Sequence, residues 1–296
     1  MPVGARIVVA IAAACLGAGC GVPATTTVTN SSTVSSTIVH PSNAPTKKYV
    51  ALGSSYAAGP GGIRLTDMRC ARSEGNYPSL VAQSLGLQLT DVSCSGATTA
   101  DIVDRAQPGV ADRPQIDAVT ADTSLVTLTV GGNNIHYVGR LMALSCRAVG
   151  PIVGARAEHC NSSPPPPPAA ADFAHLSTTL HRVLQAIRDR APQATIVFVD
   201  YLPLTTGDAT CDVLPLSPEQ RAETLTVYAG LTKAIATAAN SVGAEVVRMS
   251  TAGHDHGVCS ADPWLYGYES PAPYHETPSG KAAIAATVAK VVGASA

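Results

Sequence analysis

The chain has 296 residues, a formal net charge of −2 and only 14% charged side chains. With no basic patch in it, nothing supports a nucleic-acid partner. Aromatic residues make up 4% while Ala, Val, Thr and Gly abound, which points to a core of small side chains packed around a parallel sheet.

The N-terminus reads as an export signal. Arg6 is the only basic side chain before an apolar run from Ile7 to Leu16, which is too short for a permanent bilayer span. Gly17-Ala18-Gly19 before Cys20 resembles a bacterial lipobox, in which Cys20 takes lipid and becomes the mature N-terminus. Gly17 stands where Leu is usual, and Leu16 lies one place early. An ordinary secretory signal with a chance cysteine is the other reading, and both carry the mature protein out of the cytoplasm. The expected organisation is therefore a leader at 1–20, a flexible Ser/Thr-rich tether at 21–46 and a folded domain at 47–296. That last span is long enough for one sizeable core.

Five apolar segments read as buried parallel strands: Lys48–Gly53, Leu87–Ser93, Ser124–Val130, Ala194–Asp200 and Ala244–Met249. Helical patterns lie between and after them. Tyr77–Leu85 carries Leu80, Val81 and Leu85. Phe173–Arg190 has a stripe of Leu176, Leu180, Val183, Leu184 and Ile187, and Pro218–Val242 carries Leu225, Tyr228, Leu231 and Ile235. A last helix from about Pro278 to Val292 uses Ile284, Val288 and Val291. Strand and helix in alternation predict a three-layer α/β/α sandwich. Cys146–Ala170, with prolines at 164–168, and Thr251–Tyr274 break the rhythm and are expected to be irregular.

Six cysteines remain once Cys15 leaves with the signal and Cys20 takes lipid: Cys70, Cys94, Cys146, Cys160, Cys211 and Cys259. An even set in an exported chain reads as disulfides, although spacing alone leaves the pairing open. There is no CxxC and no compact Cys/His cluster, so neither a metal site nor a cofactor is expected. His254-Asp255-His256 has metal-like spacing but no further carboxylates or cysteines nearby.

The first strand runs into Gly53-Ser54-Ser55-Tyr56-Ala57-Ala58-Gly59. A serine at a strand tip followed by small residues is held exposed, as a nucleophile must be, although either serine could also cap a helix. Gly96 after the second strand lets its amide approach a ligand, or makes a plain turn. Asn133 follows the third strand and Gly131-Gly132. Its NH₂ can donate to an oxyanion without titrating, or it can close a turn. His275, just before the last helix, has the ordinary pKa of a proton shuttle.

Together these blocks resemble the SGNH (GDSL) esterase and lipase family. Gly53–Gly59 resembles its Gly-Asp-Ser-Leu block, Gly96 matches the glycine of its second block, and Gly131-Gly132-Asn133-Asn134 is similar to its Gly-x-Asn-Asp block. Tyr274-His275-Glu276-Thr277-Pro278-Ser279-Gly280 resembles its terminal histidine block. The resemblance implies a flavodoxin-like five-stranded sheet and hydrolysis of acyl esters, of lipids or small molecules. Ser55 would be the nucleophile and His275 the base, with the Ser55 amide, the Gly96 amide and Asn133 as the oxyanion hole. Ser54 replaces the usual aspartate, and the spacing to Gly59 favours Ser55 as the attacking serine. Ala272 stands where the triad acid is usual. Some relatives hold the histidine with a main-chain carbonyl there, so the Ala272 carbonyl, or a carboxylate from Asp262 or Glu269, is expected to orient His275. Secreted actinobacterial members imply the pairs Cys70–Cys94, Cys146–Cys160 and Cys211–Cys259. A substrate cleft is expected between the loops Tyr56–Cys70 and His136–Cys160. The whole predicts an exported, monomeric serine esterase or lipase, secreted or held to the membrane by its N-terminal lipid. A non-catalytic envelope lipoprotein that binds glycan or lipid on the same fold is the alternative.

Overall fold

Tyr49-Val50-Ala51-Leu52 carries no charge and shows no polar face, as a strand covered on both sides does. In the computed structural model it forms the core of β1 (Lys48–Gly53), and all four residues are buried. The structure describes residues 46–153, 158–161, 163–205 and 209–294. The expected leader, Cys20 and the expected tether as far as residue 45 lie outside the described residues.

In chain order β1 is followed by the single turn α1 (Ser55–Ala58), a small antiparallel hairpin of β2 (Leu65–Asp67) and β3 (Arg72–Ser73), α2 (Tyr77–Leu85), β4 (Gln88–Asp91) and α3 (Thr99–Val103). Then come β5 (Thr123–Thr129), α4 (Tyr137–Val149), α5 (Glu158–Asn161), α6 (Ala170–Arg190) and β6 (Thr195–Val199). The chain closes with α7 (Pro218–Ser241), β7 (Glu245–Val247), α8 (Met249–Ala252) and α9 (Pro278–Ala294). The five-stranded sheet has the order β4-β1-β5-β6-β7 and is parallel throughout. This is the flavodoxin-like order, with helices on both faces: α2 packs on α9, and α6 packs on both α3 and α7.

Helix starts follow local chemistry. Asn76 accepts the Ser79 N–H at 3.0 Å with Pro78 in the first turn of α2. Ser217 and Gln220 exchange hydrogen bonds in a capping box around Pro218 at the head of α7. The Leu176, Leu180, Val183, Leu184 and Ile187 stripe of α6 is buried as its period demands.

One expectation needs correction. The segment after His136 is not a loop but the helix α4, thirteen residues long, which buries Tyr137, Leu141, Met142, Ala143, Leu144, Ser145 and Cys146. Its buried and exposed residues separate clearly at the helical period, so the amphipathic pattern is present in the chain, only shorter than those of α6 and α7. The edge strand β4 is also shorter than its apolar run, although Val92 and Cys94 still donate to the Ala51 and Gly53 carbonyls of β1, each at 3.0 Å.

Three disulfides join Cys70–Cys94, Cys146–Cys160 and Cys211–Cys259. The first ties the loop after α1 to the segment after β4. The second ties α4 to α5, and the third ties the approach to α7 to the loop after α8. Among the described residues no helix is long and apolar enough to cross a membrane.

Candidate active site

β1 and β5 lie side by side and end together, Gly53 opposite Thr129. Gly53 has φ +136°, and a Cβ there would stand 2.5 Å from the Thr129 carbonyl oxygen, so only glycine lets the two strand ends close up. The Gln115 side chain clamps the same point, accepting from the Gly53 N–H at 2.7 Å and donating to its carbonyl at 3.0 Å. Ser54 then turns inward. It is buried, and both its N–H (2.9 Å) and its hydroxyl (3.3 Å) donate to the Thr129 carbonyl. Ser55, next along, therefore faces outward at the head of α1. Gly59 closes that turn in the left-handed region, φ +66°, with its N–H on the Ser55 carbonyl at 2.8 Å.

His275 meets Ser55 across the sheet end: Nε2 lies 2.8 Å from Ser55 Oγ. Its Nδ1 lies 2.8 Å from the Pro273 carbonyl oxygen. A carbonyl can only accept, so Nδ1 carries the proton and Nε2 is the bare acceptor for the serine hydroxyl. The sequence expectation of the Ala272 carbonyl is thus corrected. That carbonyl accepts the main-chain N–H of His275 at 3.1 Å, and the Pro273 carbonyl stands behind the ring. Tyr274 at φ +59° makes the difference, because its left-handed backbone swings the preceding carbonyl toward the imidazole. Tyr274 is held there by three bonds: its N–H to the Gly267 carbonyl, its own carbonyl from Tyr56 Oη at 2.8 Å, and its hydroxyl to Ser145 Oγ. Neither candidate loop carboxylate reaches the ring. Asp262 serves His256, through its carbonyl at 2.8 Å from Nδ1, and Glu269 accepts the Gly267 N–H at 3.3 Å. His256 stacks on Trp264 with centroids 3.8 Å apart.

Burial, and then the nearby Lys281 charge, pull the His275 pKa down to about 4, only partly offset by the Pro273 carbonyl. The ring is neutral at pH 7. Two titratable side chains that the sequence reading did not single out lie close behind it. Glu276 is fully buried, and neither of its carboxyl oxygens has a hydrogen-bond partner among the described residues. Burial raises its pKa to about 8. Lys281, in the first turn of α9, is also buried and donates from Nζ to the Gly59 carbonyl at 2.9 Å and the Pro60 carbonyl at 3.1 Å. It straps the last helix to the turn that carries Ser55. Burial lowers its pKa, and the Glu276 charge opposes that.

Ser55, Gly96, Asn133 and His275 line one cleft of about 330 Å³, with Pro60 and Ala71 on one side and Val138, Gly139 and Met142 of α4 on the other. The wall opposite the Tyr56–Cys70 loop is therefore helical. Gly96 sits at φ +85° between the Cys94 disulfide and Ala97. No acceptor for the Ser55 or Gly96 main-chain N–H is found among the described residues. Asn133 Nδ2 gives one hydrogen to the Ala97 carbonyl at 2.9 Å and keeps a second. Asn134 ties the same corner to α3 by exchanging bonds with Thr99.

Residues 51–283, which hold every group just described, match the model of the GDSL-like lipase/acylhydrolase family. The chain belongs to that family. As a GDSL-like enzyme it is a carboxylic ester hydrolase. It is 34% identical to Lipase 2 of Streptomyces coelicolor over 84% of this chain and 87% of that one. Among solved structures, the extracellular lipase of Streptomyces rimosus superposes with a TM-score of 0.64 at 27% identity, covering 84% of this chain and all of that one. Phospholipase A1 of Streptomyces albidoflavus, at 23% identity and a TM-score of 0.63 over 85% of this chain and all of that one, shares the fold.

Proposed function

We propose that this GDSL-family hydrolase cleaves acyl esters by a Ser55–His275 dyad whose imidazole is oriented by the Pro273 carbonyl. The observation that carries the reading is the bond of 2.8 Å from His275 Nε2 to Ser55 Oγ, with Nδ1 occupied at 2.8 Å by a group that can only accept. Ser55 Oγ attacks the ester carbonyl carbon as Nε2 takes its proton. The carbonyl oxygen becomes an oxyanion, met by the Ser55 N–H, the Gly96 N–H and the second hydrogen of Asn133 Nδ2. The imidazolium returns the proton to the departing alkoxide, leaving an acyl-serine. Water then repeats the sequence with His275 as base and releases the acid. The Pro273 carbonyl supplies a dipole where most triads supply a full charge, so the imidazolium is stabilised less and turnover is modest.

The substrate is an acyl ester, with lipid esters favoured by the lipase names of the relatives. The protein acts outside the cytoplasm, secreted or tethered through Cys20 by residues 21–46. Support for export comes from the apolar leader, the lipobox-like Gly17–Cys20 and three disulfides in one domain. A non-catalytic binding protein is not favoured, because such a protein has no use for an inward imidazole bonded to a serine in an open cleft.

One experiment tests both parts. The exported protein is treated with a fluorophosphonate and analysed by intact and peptide mass spectrometry. The adduct is expected on Ser55, and the mature N-terminus on lipid-modified Cys20. Ser55→Ala is expected to lose about 10⁴-fold or more in kcat/KM on a short-chain aryl ester. An adduct on Ser54, or none, rejects the dyad, and an unmodified N-terminus elsewhere in the leader rejects the anchor.

A further inference from the structure

Five large apolar side chains are exposed among the described residues: Ile63, Leu65, Met68, Val149 and Val153. Exposed apolar residues scattered singly need no explanation, but these are not scattered. Three lie on the loop that leaves the cleft at Pro60 and returns to it at Ala71, both of which line the cleft. The other two lie at the end of α4, the facing wall, and just beyond it.

The two segments are joined through the stretch that leads to His275. Gly61 packs so closely on Ala272 and Pro271 that a Cβ would stand 2.8 and 3.0 Å from them. Ser270 Oγ donates to the Val153 carbonyl at 2.6 Å, and Tyr268 Oη to the Gly150 carbonyl at 3.0 Å. Ile63, Met68 and Val153 are each 82% exposed or more. A groove of about 690 Å³ between Ile63, Tyr266 and Pro271 extends the apolar character of this side.

The charges on the same segments are lopsided. Asp67 is taken by Arg72 at 3.4 Å, and Glu74 by Arg64 at 3.2 Å. Arg69 and Arg147 are exposed and have no carboxylate partner among the described residues. Apolar tips on two separate segments, each segment also carrying an exposed arginine with no carboxylate partner among the described residues, make a poor mate for a rigid protein surface. They suit a phase that flows around each tip and carries phosphate at its boundary.

We infer that the rim formed by Ile63, Leu65, Met68, Val149 and Val153, flanked by Arg69 and Arg147, seats the cleft on the surface of an anionic lipid aggregate. This deepens the ester-hydrolase function proposed above and rests on it. The apolar tips enter the acyl region, the arginines meet headgroup phosphates, and an ester drawn from the surface reaches Ser55 without crossing bulk water.

The test places a tryptophan reporter in the full chain carrying Ser55→Ala, as Ile63→Trp, as Val153→Trp and, for control, as Gln185→Trp on the exposed side of α6. The native Trp264 is common to all three. The vesicles are equal parts phosphatidylcholine and phosphatidylglycerol, with and without brominated acyl chains, which quench tryptophan on contact. Brominated lipid is expected to quench the added emission at 63 and 153 by about half and to leave 185 unchanged. Arg69→Gln with Arg147→Gln is expected to raise the lipid concentration for half-maximal quenching about tenfold. No quenching at 63 and 153, equal quenching at 185, or an unmoved midpoint in the arginine variant overturns the inference. Turnover of a water-soluble ester by the parent chain is measured alongside. Turnover without quenching rejects the surface and keeps the hydrolase, while quenching without turnover does the reverse.

Discussion

The dyad proposed for this site turns on the ionisation of a single ring. An unperturbed histidine titrates near 6.5, but burial and the Lys281 charge bring His275 to about 4. In the proposed dyad the neutral ring is the base, so kcat/KM on a soluble ester is expected to hold down to about pH 5 and to reach half its maximum near pH 4. A midpoint near 6.5 in that pH–rate profile would show that the ring is solvated or charge-paired. The same shift acts on stability. Between about 4 and 6.5 the unfolded ring binds a proton that the folded ring refuses, so the folded state loses stability as pH falls through that window. Glu276 runs the other way. Its pKa is raised to about 8, so its contribution is whole below its ordinary value of 4.5 and is lost as pH rises toward 8. Ser54 and Ser55 divide their roles by direction alone: one points to the Thr129 carbonyl inside, the other to His275 outside.

At the level of elements, the site is a property of two strand ends. β1 and β5 must close to van der Waals contact at Gly53 and Thr129 for Ser54 to reach inward and Ser55 outward. Gly53→Ala is expected to destabilise the fold by about 3 kcal/mol or more, since it adds both a clash at 2.5 Å and an unfavourable φ. Gly86→Ala, also at positive φ but with open space around it, is expected to cost only about 1 kcal/mol. Denaturation midpoints of the two variants check this, and equal shifts would mean that the strand ends can part without penalty. The helices divide by legibility. The long stripes of α6 and α7 are plain in the sequence because large aliphatic side chains repeat on one face. α4 carries a clear amphipathic period too, but it is only thirteen residues long and Gly139 stands in its first turn, so it reads less readily as a helix than the longer elements.

Across the whole molecule, loops that carry the chemistry are fastened to the sheet by covalent and buried polar ties. Cys70–Cys94 spans 24 residues and brings the Cys70 carbonyl to the Ser95 N–H at 3.0 Å, next to Gly96. Replacing both cysteines with serine is expected to lower stability by about 3 kcal/mol and to lower kcat as the proposed Gly96 donor loosens. Thermal melting and turnover of the double variant read the two effects, and an unchanged melting temperature would show that the sheet alone holds this corner. Lys281 does a similar job at the opposite side of Ser55, where its ammonium group ties α9 to the Gly59 and Pro60 carbonyls.

Read alone, the sequence identified the strands and their alternation with helices, and it pointed to Ser55, Gly96, Asn133 and His275, which the fold brings into one cleft. Apolar runs and strand-end glycines are local features, and a chain of this kind packs them in few ways. Which carbonyl faces the imidazole was beyond its reach, because that depends on one left-handed residue, Tyr274, held by partners at Tyr56, Ser145 and Gly267. The burial of Glu276 and Lys281 was hidden for the same reason. A charged residue beside a turn looks solvent-facing in one dimension, and only the packing of α9 against the Ser55 turn encloses it. Composition and periodicity settle what each segment is. Contacts between segments more than 200 residues apart settle what each side chain meets, and that decides the chemistry.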